Sequence, residues 1–149
     1  MNHIEIEALY KTLLTCWNKQ DAKGMALLFG HDGNIIGYDG SQINGRSQIE
    51  FEMTRVFTDH QTARYVWKIR EIRFLNNEVA LLRAVVGMIA PGKKEIMAER
   101  NAVQSLIAVK GNEEWEIALF HNTPAQFHGR PEESEALTKE LNELVELGK

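Results

Sequence analysis

The sequence has little cysteine, few prolines and no long apolar run, and each scarcity excludes a class of protein. Its 149 residues include a single cysteine, Cys16, so no internal disulfide can form and a reducing, cytoplasmic setting is expected. The longest apolar runs, VALL and AVVGMIA, end at Arg83 and Pro91, far short of the roughly 20 residues that span a membrane. Lys and Arg number 17 against 21 acidic residues, and the net charge of -4 argues against a nucleic-acid partner.

Signals for export, metals and nucleotide cofactors are also missing. The opening residues, MNHIEIEALY, have neither the basic start nor the apolar core of a secretory signal. The histidines fall in separate predicted elements without an HxH or HExxH spacing, and no GxGxxG follows a predicted strand. We therefore expect a protein without a metal site and without a nicotinamide or flavin cofactor.

Apolar residues at helical spacing predict three helices in the first 60 residues. The first helix covers residues 4–18. Asp21 caps a second, short helix that ends near Gly30, because its carboxylate can accept the unpaired amide hydrogens of the first turn. Ser47, with Glu50 three residues later, has the pattern of a capping box and predicts the start of a third helix.

After residue 60 the apolar pattern changes from helical to alternating, which predicts a long antiparallel sheet. The apolar parity changes after Ile69, so a bulge or bend is expected near Arg70 and Glu71. Three hairpins in a row then make a meander. The predicted strands, besides the one at the bend, cover residues 34–38, 78–90, 95–109 and 114–122.

Helices followed by consecutive strands place the chain in the α+β class, with the N-terminal helices gathered on one face of the sheet. From Pro131 onward the helical spacing returns, and a C-terminal helix is predicted over residues 131–147. Both faces of the sheet are rich in apolar residues. We therefore expect a second subunit to cover the open face in a two-fold homodimer.

Several local strings resemble the nuclear transport factor 2-like, or SnoaL-like, superfamily. The block RNAVQSLIAVK, a turn and then EWEIALFHNT resembles the SgcJ/EcaC group of that superfamily more narrowly. The resemblance covers the chain to about residue 128, and the C-terminal helix is an addition. It implies one SnoaL-like domain over residues 1–149, with a cone-shaped, curved antiparallel sheet of cystatin-like type packed on the helices around a pocket. The other strings are Asp21 before the second helix, Gly45-Arg46 followed by Ile49, and Trp115-Glu116-Ile117.

The resemblance implies a fold more strongly than a reaction, because this superfamily includes isomerases, dehydratases, hydrolases and oligomerisation modules. Its ketosteroid isomerases use a tyrosine on the first helix and a carboxylate on the first strand as oxyanion donor and base. Counted along this sequence, those positions fall on Leu13 and on Gly37 or Ile36. Asp39 could supply the carboxylate only after a shift of two or three residues.

Polar side chains on the long strands are the candidates for chemistry in the pocket. If the hairpin registers are tight, His121 and Arg83 share one face, with His121 as proton carrier and Arg83 stabilising developing negative charge. Alternatively, both satisfy buried carbonyls or a dimer salt bridge. A register error of one residue exchanges the two faces. The first face carries Arg83, Arg100, Gln104 and His121, and the opposite face carries Glu99, Asn101, Ser105 and Asn122.

Aromatic side chains are the candidates for the pocket wall, with plain core packing as the alternative. Tyr38 and Asp39 are the candidates for a polar handle at the pocket mouth, although an Asp-Gly pair also suits a turn. We expect a small hydrophobic or mixed-polarity ligand, with acid–base catalysis of the isomerase, cyclase or dehydratase type left open. A non-catalytic oligomerisation module is the alternative. The wall candidates are Trp17, Tyr38, Phe51 and Trp67.

Overall fold

The chain folds into three helices interleaved with two short strands, a four-stranded meander and a C-terminal helix. The computed structural model describes residues 2–148. The helices are α1 (His3–Asn18), α2 (Ala22–Leu27), α3 (Arg46–Asp59) and α4 (Pro131–Glu146). The strands are β1 (Phe29–Ile36), β2 (Gln42–Asn44), β3 (Arg64–Asn76), β4 (Val79–Ile89), β5 (Ala102–Gly111) and β6 (Glu114–Pro124). Among the described residues, none of the helices combines the length and apolar character needed to span a bilayer.

The structure confirms one of the two predicted helix caps and contradicts the other. Asp21 caps α2 as predicted, its side chain accepting from the amide of Gly24 at 2.9 Å. The prediction of a capping box at Ser47 is wrong, because α3 already begins at Arg46 and has no side-chain cap. The residue before α3 is Gly45, whose φ of 93° and ψ of 148° suit glycine. The chain therefore enters α3 through a backbone conformation that side chains rarely adopt.

One sheet of order β2-β1-β6-β5-β4-β3 contains all the strands. The meander from β3 to β6 is antiparallel, as predicted, whereas β1 lies parallel to β6. The strand predicted at residues 34–38 is misplaced, because β1 already begins at Phe29. The strand β1 runs without a break from Phe29 to Ile36, although its pairing with β6 is irregular between Phe29 and Asn34.

Residues 95–101, predicted as part of a strand, leave the sheet. Ile96 makes only an isolated bridge to Ile89, and residues 98–100 form a single 3₁₀ turn. The next strand, β5, begins at Ala102. The segment between the two strands is therefore a long connection rather than a tight hairpin.

Three register shifts interrupt the pairing of the meander. The β3–β4 register shifts between Ile69 and Glu71, which confirms the predicted bulge, and again between Phe74 and Asn76. A third shift lies at Ile107 and Ala108 in the pairing of β5 with β6, and neither of these two was predicted. Because a bulge adds a residue to one strand, each shift changes which side chains reach a given face.

The three N-terminal helices α1, α2 and α3 lie on one face of the curved sheet, as predicted, and α4 lies on the other face. We call the face packed against these three helices the inner face and the other the outer face. On the outer face, α4 packs against β3 and β4 in a second apolar core. That core includes Val66, Val85 and Ile89 of the sheet and Leu137 and Leu141 of α4. The C-terminal helix therefore covers part of the face that was expected to need a second subunit.

Candidate functional site

A cavity of about 870 Å³ lies between the inner face of the sheet and the helices. This volume is in the range of small-molecule sites. Exposed polar side chains such as Ser41, Gln48 and His60 form its mouth. Its buried wall is mainly apolar and includes Leu13, Leu14, Met25, Ile35, Met53 and Phe120.

A row of four buried polar side chains runs from the core to the cavity, and we call it the polar chain. Tyr10 on α1 donates from its hydroxyl to Gln104 Oε1 at 2.6 Å. The Gln104 amide nitrogen donates to Asn122 Oδ1 at 3.4 Å, and the Asn122 amide nitrogen donates to the Tyr65 hydroxyl at 3.2 Å. Of these four, Asn122 and Tyr65 line the cavity.

The polar chain is electrically neutral. Burial raises the pKa of Tyr10 well above its ordinary value of 10.0. Burial also raises the pKa of Tyr65 to about 12, although hydrogen bonds with Asn122 and Gln104 act in the opposite direction. Both phenols therefore keep their protons at physiological pH, and the chain can supply hydrogen bonds but no charge.

Helix α1 positions Tyr65 and one wall of the cavity. The side chain of Asn18 accepts from the Tyr65 amide at 2.7 Å and donates to the Tyr65 carbonyl at 3.1 Å. Trp17 lines the cavity, donates from its indole nitrogen to the Ala63 carbonyl at 2.8 Å, and lies 5.4 Å from the Tyr65 ring. The first residues of β3 are therefore fastened to the end of α1 beside the cavity.

Charges of both signs lie at the cavity mouth. Asp39 accepts from the Ser41 amide at 2.9 Å, and hydrogen bonds with Ser41 lower the pKa of its carboxyl group. A lowered pKa makes a carboxylate a weaker base, so these contacts support the turn role of Asp39. Arg100 places its guanidinium 5.8 Å from the centre of the Tyr38 ring, and the Tyr38 hydroxyl donates to the Glu99 carbonyl at 3.1 Å.

The structure brings several predicted site residues to this cavity, and their roles stay predictions. One further predicted residue, Gln104, reaches the site through its hydrogen bond to Asn122. Within residues 2–148, no three His, Cys, Asp or Glu side chains come together in a way that could hold a metal ion. The predicted residues that line the cavity are Trp17, Tyr38, Asp39, Arg100 and Asn122.

Arg83 and His121 lie on the outer face, so the prediction that they converge in the pocket is wrong. Arg83 pairs with Ser105, which pairs with His121, and the three side chains share that face. The Arg83 guanidinium donates to Glu71 Oε1 at 2.8 Å. The ring nitrogen Nε2 of His121 lies 3.2 Å from Thr123 Oγ1. Both side chains therefore face away from a ligand held in the cavity.

The extra residue in β6 explains the error for His121. Ile117 pairs with Ala108, yet Leu119 pairs with Ile107, so Ala118 is inserted between two paired positions. The insertion reverses the alternation of side chains along the rest of β6. Without the insertion, residues 117, 119 and 121 would share one face; with it, His121 points to the face opposite Ile117.

Three residues predicted to bind the ligand lie elsewhere. Phe51 is 62% exposed on the solvent side of α3. Trp67 packs in the core with its ring edge-on to Tyr10 at 6.5 Å, outside the residues that line the cavity. Asn101 is buried beside α4 and donates to Thr138 at 2.8 Å, because the 3₁₀ turn before it removes it from the strand alternation. These placements correct the predicted pocket.

Sequence reasoning missed the two tyrosines that end the polar chain. In the sequence both lie within apolar stripes, Tyr10 on the first helix and Tyr65 on the first strand of the meander. A buried tyrosine within an apolar stripe needs a hydrogen-bond partner for its hydroxyl, and this requirement was the available signal.

Comparisons with known proteins locate the fold among solved structures. No protein-family model and no curated protein matches the chain. A domain of unknown function with a cystatin-like fold from Nostoc punctiforme superposes with a TM-score of 0.79 at 24% identity, covering 93% of this chain and 88% of that one. An NTF-2 like protein of unknown function from Shewanella oneidensis superposes with a TM-score of 0.68 at 20% identity, covering 83% of this chain and 99% of that one.

A putative calcium/calmodulin-dependent protein kinase type II association domain from Thiobacillus denitrificans is also similar. It superposes with a TM-score of 0.71 at 12% identity, covering 80% of this chain and 94% of that one. This chain has the nuclear transport factor 2-like fold. The identities are low, so the similarity shows the fold alone.

Within this nuclear transport factor 2-like fold, two positions from the ketosteroid isomerase comparison border the cavity. Leu13 and Gly37, on which the count along the sequence placed the tyrosine and the carboxylate, both line it, whereas the alternative carboxylate position, Ile36, is not among the lining residues. Leucine and glycine supply neither a proton donor nor a base.

Proposed function

We propose that this chain is a small-molecule-binding protein whose ligand is mainly apolar and carries a polar group. The observation that carries the proposal is the cavity of about 870 Å³, whose apolar wall is interrupted by Asn122 and Tyr65. A concave apolar site with a few convergent polar groups is the usual form of a ligand site. We also propose a cytoplasmic location, because a chain with a single cysteine forms no internal disulfide.

Asn122 and Tyr65, which line the buried part of the cavity that we call its floor, favour binding over acid–base catalysis. The polar chain consists of phenols and amides, and the pKa of Tyr65, about 12, is far from neutral. An efficient general acid or base needs a pKa near the working pH. Arg83 and His121, the sequence-based candidates, lie on the outer face. We therefore assign no proton transfer in the cavity to either residue.

The proposal is tested with the neutral fluorescent probe N-phenyl-1-naphthylamine and a matched pair of variants on α3. Met53 lines the cavity and is 7% exposed, whereas Phe51, two positions earlier, is 62% exposed. We expect saturable probe binding, weakened at least tenfold by Met53→Trp, because the indole occupies cavity volume. Phe51→Trp introduces the same side chain on the solvent side and should leave probe affinity unchanged. Absence of probe binding, or equal effects of both variants, would contradict the proposal.

We also propose that a second copy of the chain covers the part of the outer face that α4 leaves open. There, Leu81, Ile107 and Leu119 are only partly buried and Val109 is 37% exposed, next to the charged side chain of Arg83. A contiguous apolar surface of this kind is typical of an interface between subunits. The similar Thiobacillus denitrificans protein, a putative association domain, supports self-association as a function of such a fold.

A further inference from the structure

The polar chain has a direction, and burial determines it. Tyr10 is 0% exposed, and its hydroxyl lies 2.6 Å from Gln104 Oε1. A phenol has one proton to donate, and a buried donor without an acceptor is strongly disfavoured. Tyr10 must therefore donate to Gln104, and the amide oxygen of Gln104 must face Tyr10.

This first bond orients the two amides that follow. Because its oxygen faces Tyr10, Gln104 turns its amide nitrogen toward Asn122 Oδ1, 3.4 Å away. Asn122 then accepts at its oxygen and turns its nitrogen toward the Tyr65 hydroxyl, 3.2 Å away. Amide orientations are set by such networks, and here each orientation follows from the previous one.

The polar chain therefore ends at Tyr65 with a hydroxyl proton that is available to a ligand. The Tyr65 oxygen accepts from Asn122, and the hydrogen bonds among residues 2–148 include none in which Tyr65 donates its hydroxyl proton. Burial keeps that hydroxyl protonated, with a pKa of about 12. Tyr65 and Asn122, whose side chains meet at this hydroxyl, both line the cavity, so the donor belongs to the cavity wall.

We infer that the Tyr65 hydroxyl donates a hydrogen bond to the ligand, and that the ligand is a neutral molecule whose apolar body carries an acceptor oxygen, such as a carbonyl. The inference rests on the proposed binding function. It also limits the ligand class. The oxygens of Gln104 and Asn122 each already accept one hydrogen bond, so a ligand that can only donate finds fewer free acceptor positions here.

The charged residues around the cavity favour a neutral ligand over an anionic one. The positively charged residue that lines the cavity, Arg100, is exposed and lies over Tyr38 at the mouth. A carboxylate at the floor would be buried beside neutral groups without a cation, which costs more than burying a carbonyl that receives a hydrogen bond. The floor therefore favours a neutral acceptor over a charged one.

The test uses three probes of similar size and shape on the full chain: 2-acetonaphthone, 2-ethylnaphthalene and 2-naphthoate. Each competes with N-phenyl-1-naphthylamine. We expect the ketone to bind about tenfold more tightly than the hydrocarbon, the difference made by one hydrogen bond of moderate strength. In Tyr65→Phe the two affinities should become equal, while the hydrocarbon affinity stays within about twofold, because only the donor is removed.

Thr54→Ala is the control, since it also removes a hydroxyl that donates to a backbone carbonyl, that of Glu50, but Thr54 lies on the exposed side of α3 and is not among the residues that line the cavity. The ketone preference should survive in that variant. Two results in the wild type would overturn the inference: equal affinities of ketone and hydrocarbon, or a preference for naphthoate. Either result would leave the proposed binding function intact. Failure of every probe to bind would overturn both. The wild-type comparison decides the matter even if Tyr65→Phe does not fold.

Discussion

Glu140 of α4 carries a partly exposed carboxyl group whose pKa is strongly lowered. It accepts from Arg70 at 2.6 and 2.7 Å and lies 3.1 Å from the Lys68 ammonium. The hydrogen bonds from Arg70 are the main cause that lowers its pKa from 4.5 to about 2. The ion pairs join α4 to β3, so the charge of Glu140 helps to hold the C-terminal helix on the sheet.

Replacing Glu140 with glutamine should therefore destabilise the protein at neutral pH only. The lowered folded-state pKa means that the unfolded chain binds the proton more tightly, so the stabilisation is present above pH 4.5 and disappears as pH falls toward 2. Because the groups are partly exposed, we expect a loss of about 1 kcal/mol at pH 7. Urea denaturation at pH 7 and pH 2 measures the difference, and Glu143→Gln on the same helix is the control. An equal loss at both pH values would show that the charge is not responsible.

The buried end of the polar chain should matter more for stability than the tyrosine at the mouth. Tyr10→Phe leaves the Gln104 oxygen buried without its donor, and we expect it to lower the free energy of unfolding by about 1–3 kcal/mol. Tyr38→Phe removes a hydroxyl at the mouth and should change stability by no more than about 0.5 kcal/mol. Both are measured by urea denaturation. Equal losses of stability in the two variants would mean that the polar chain does not require the Tyr10 proton.

At the scale of elements, α4 is held by close packing as well as by ion pairs. Gly87 of β4 makes room for it: a Cβ built there would lie 2.8 Å from Ile96 Cδ1 and 3.1 Å from Leu141 Cδ1. Leu141 itself is 0% exposed. The helix is therefore an integral layer of the structure, with a core of its own beneath it.

Leu141→Ala should cost about 2–5 kcal/mol of stability, because it removes buried methyl groups and leaves a cavity under α4. The matched control is Leu147→Ala near the end of the chain, where the side chain is 72% exposed. That change should be neutral within about 0.5 kcal/mol. Thermal and urea unfolding of both variants provide the comparison, and a small effect of Leu141→Ala would mean that α4 does not form a tight layer.

At the scale of the whole molecule, the open part of the outer face should mediate self-association. We expect a homodimer by sedimentation velocity, and a monomer for Leu119→Arg, because the charge would be buried without a partner at the interface. Leu147→Arg places the same charge on exposed surface and should remain dimeric. A monomeric wild type would refute the dimer. An assembly larger than a dimer would favour the oligomerisation module.

Local patterns in the sequence were enough to predict the α+β class, the cap at Asp21 and the bulge near Arg70 and Glu71. Hydrophobic period, capping and turn chemistry depend on neighbouring residues, so they can be read along one short segment. They also indicated Trp17 and Asn122 as candidates for the site. The candidates that failed, such as Arg83 and His121, depended on strand register over long distances.

The face that each side chain occupies, and the layer that each helix covers, depend on long-range pairing in the folded chain. One inserted residue, Ala118, reversed the remainder of β6, and no local pattern marked it. The polar chain joins Tyr10 and Gln104, which are 94 positions apart in the sequence. Composition and periodicity determined the elements because they reflect local physics. The cavity and its donor depend on long-range pairing, and a shift of one residue in that pairing changes which groups meet.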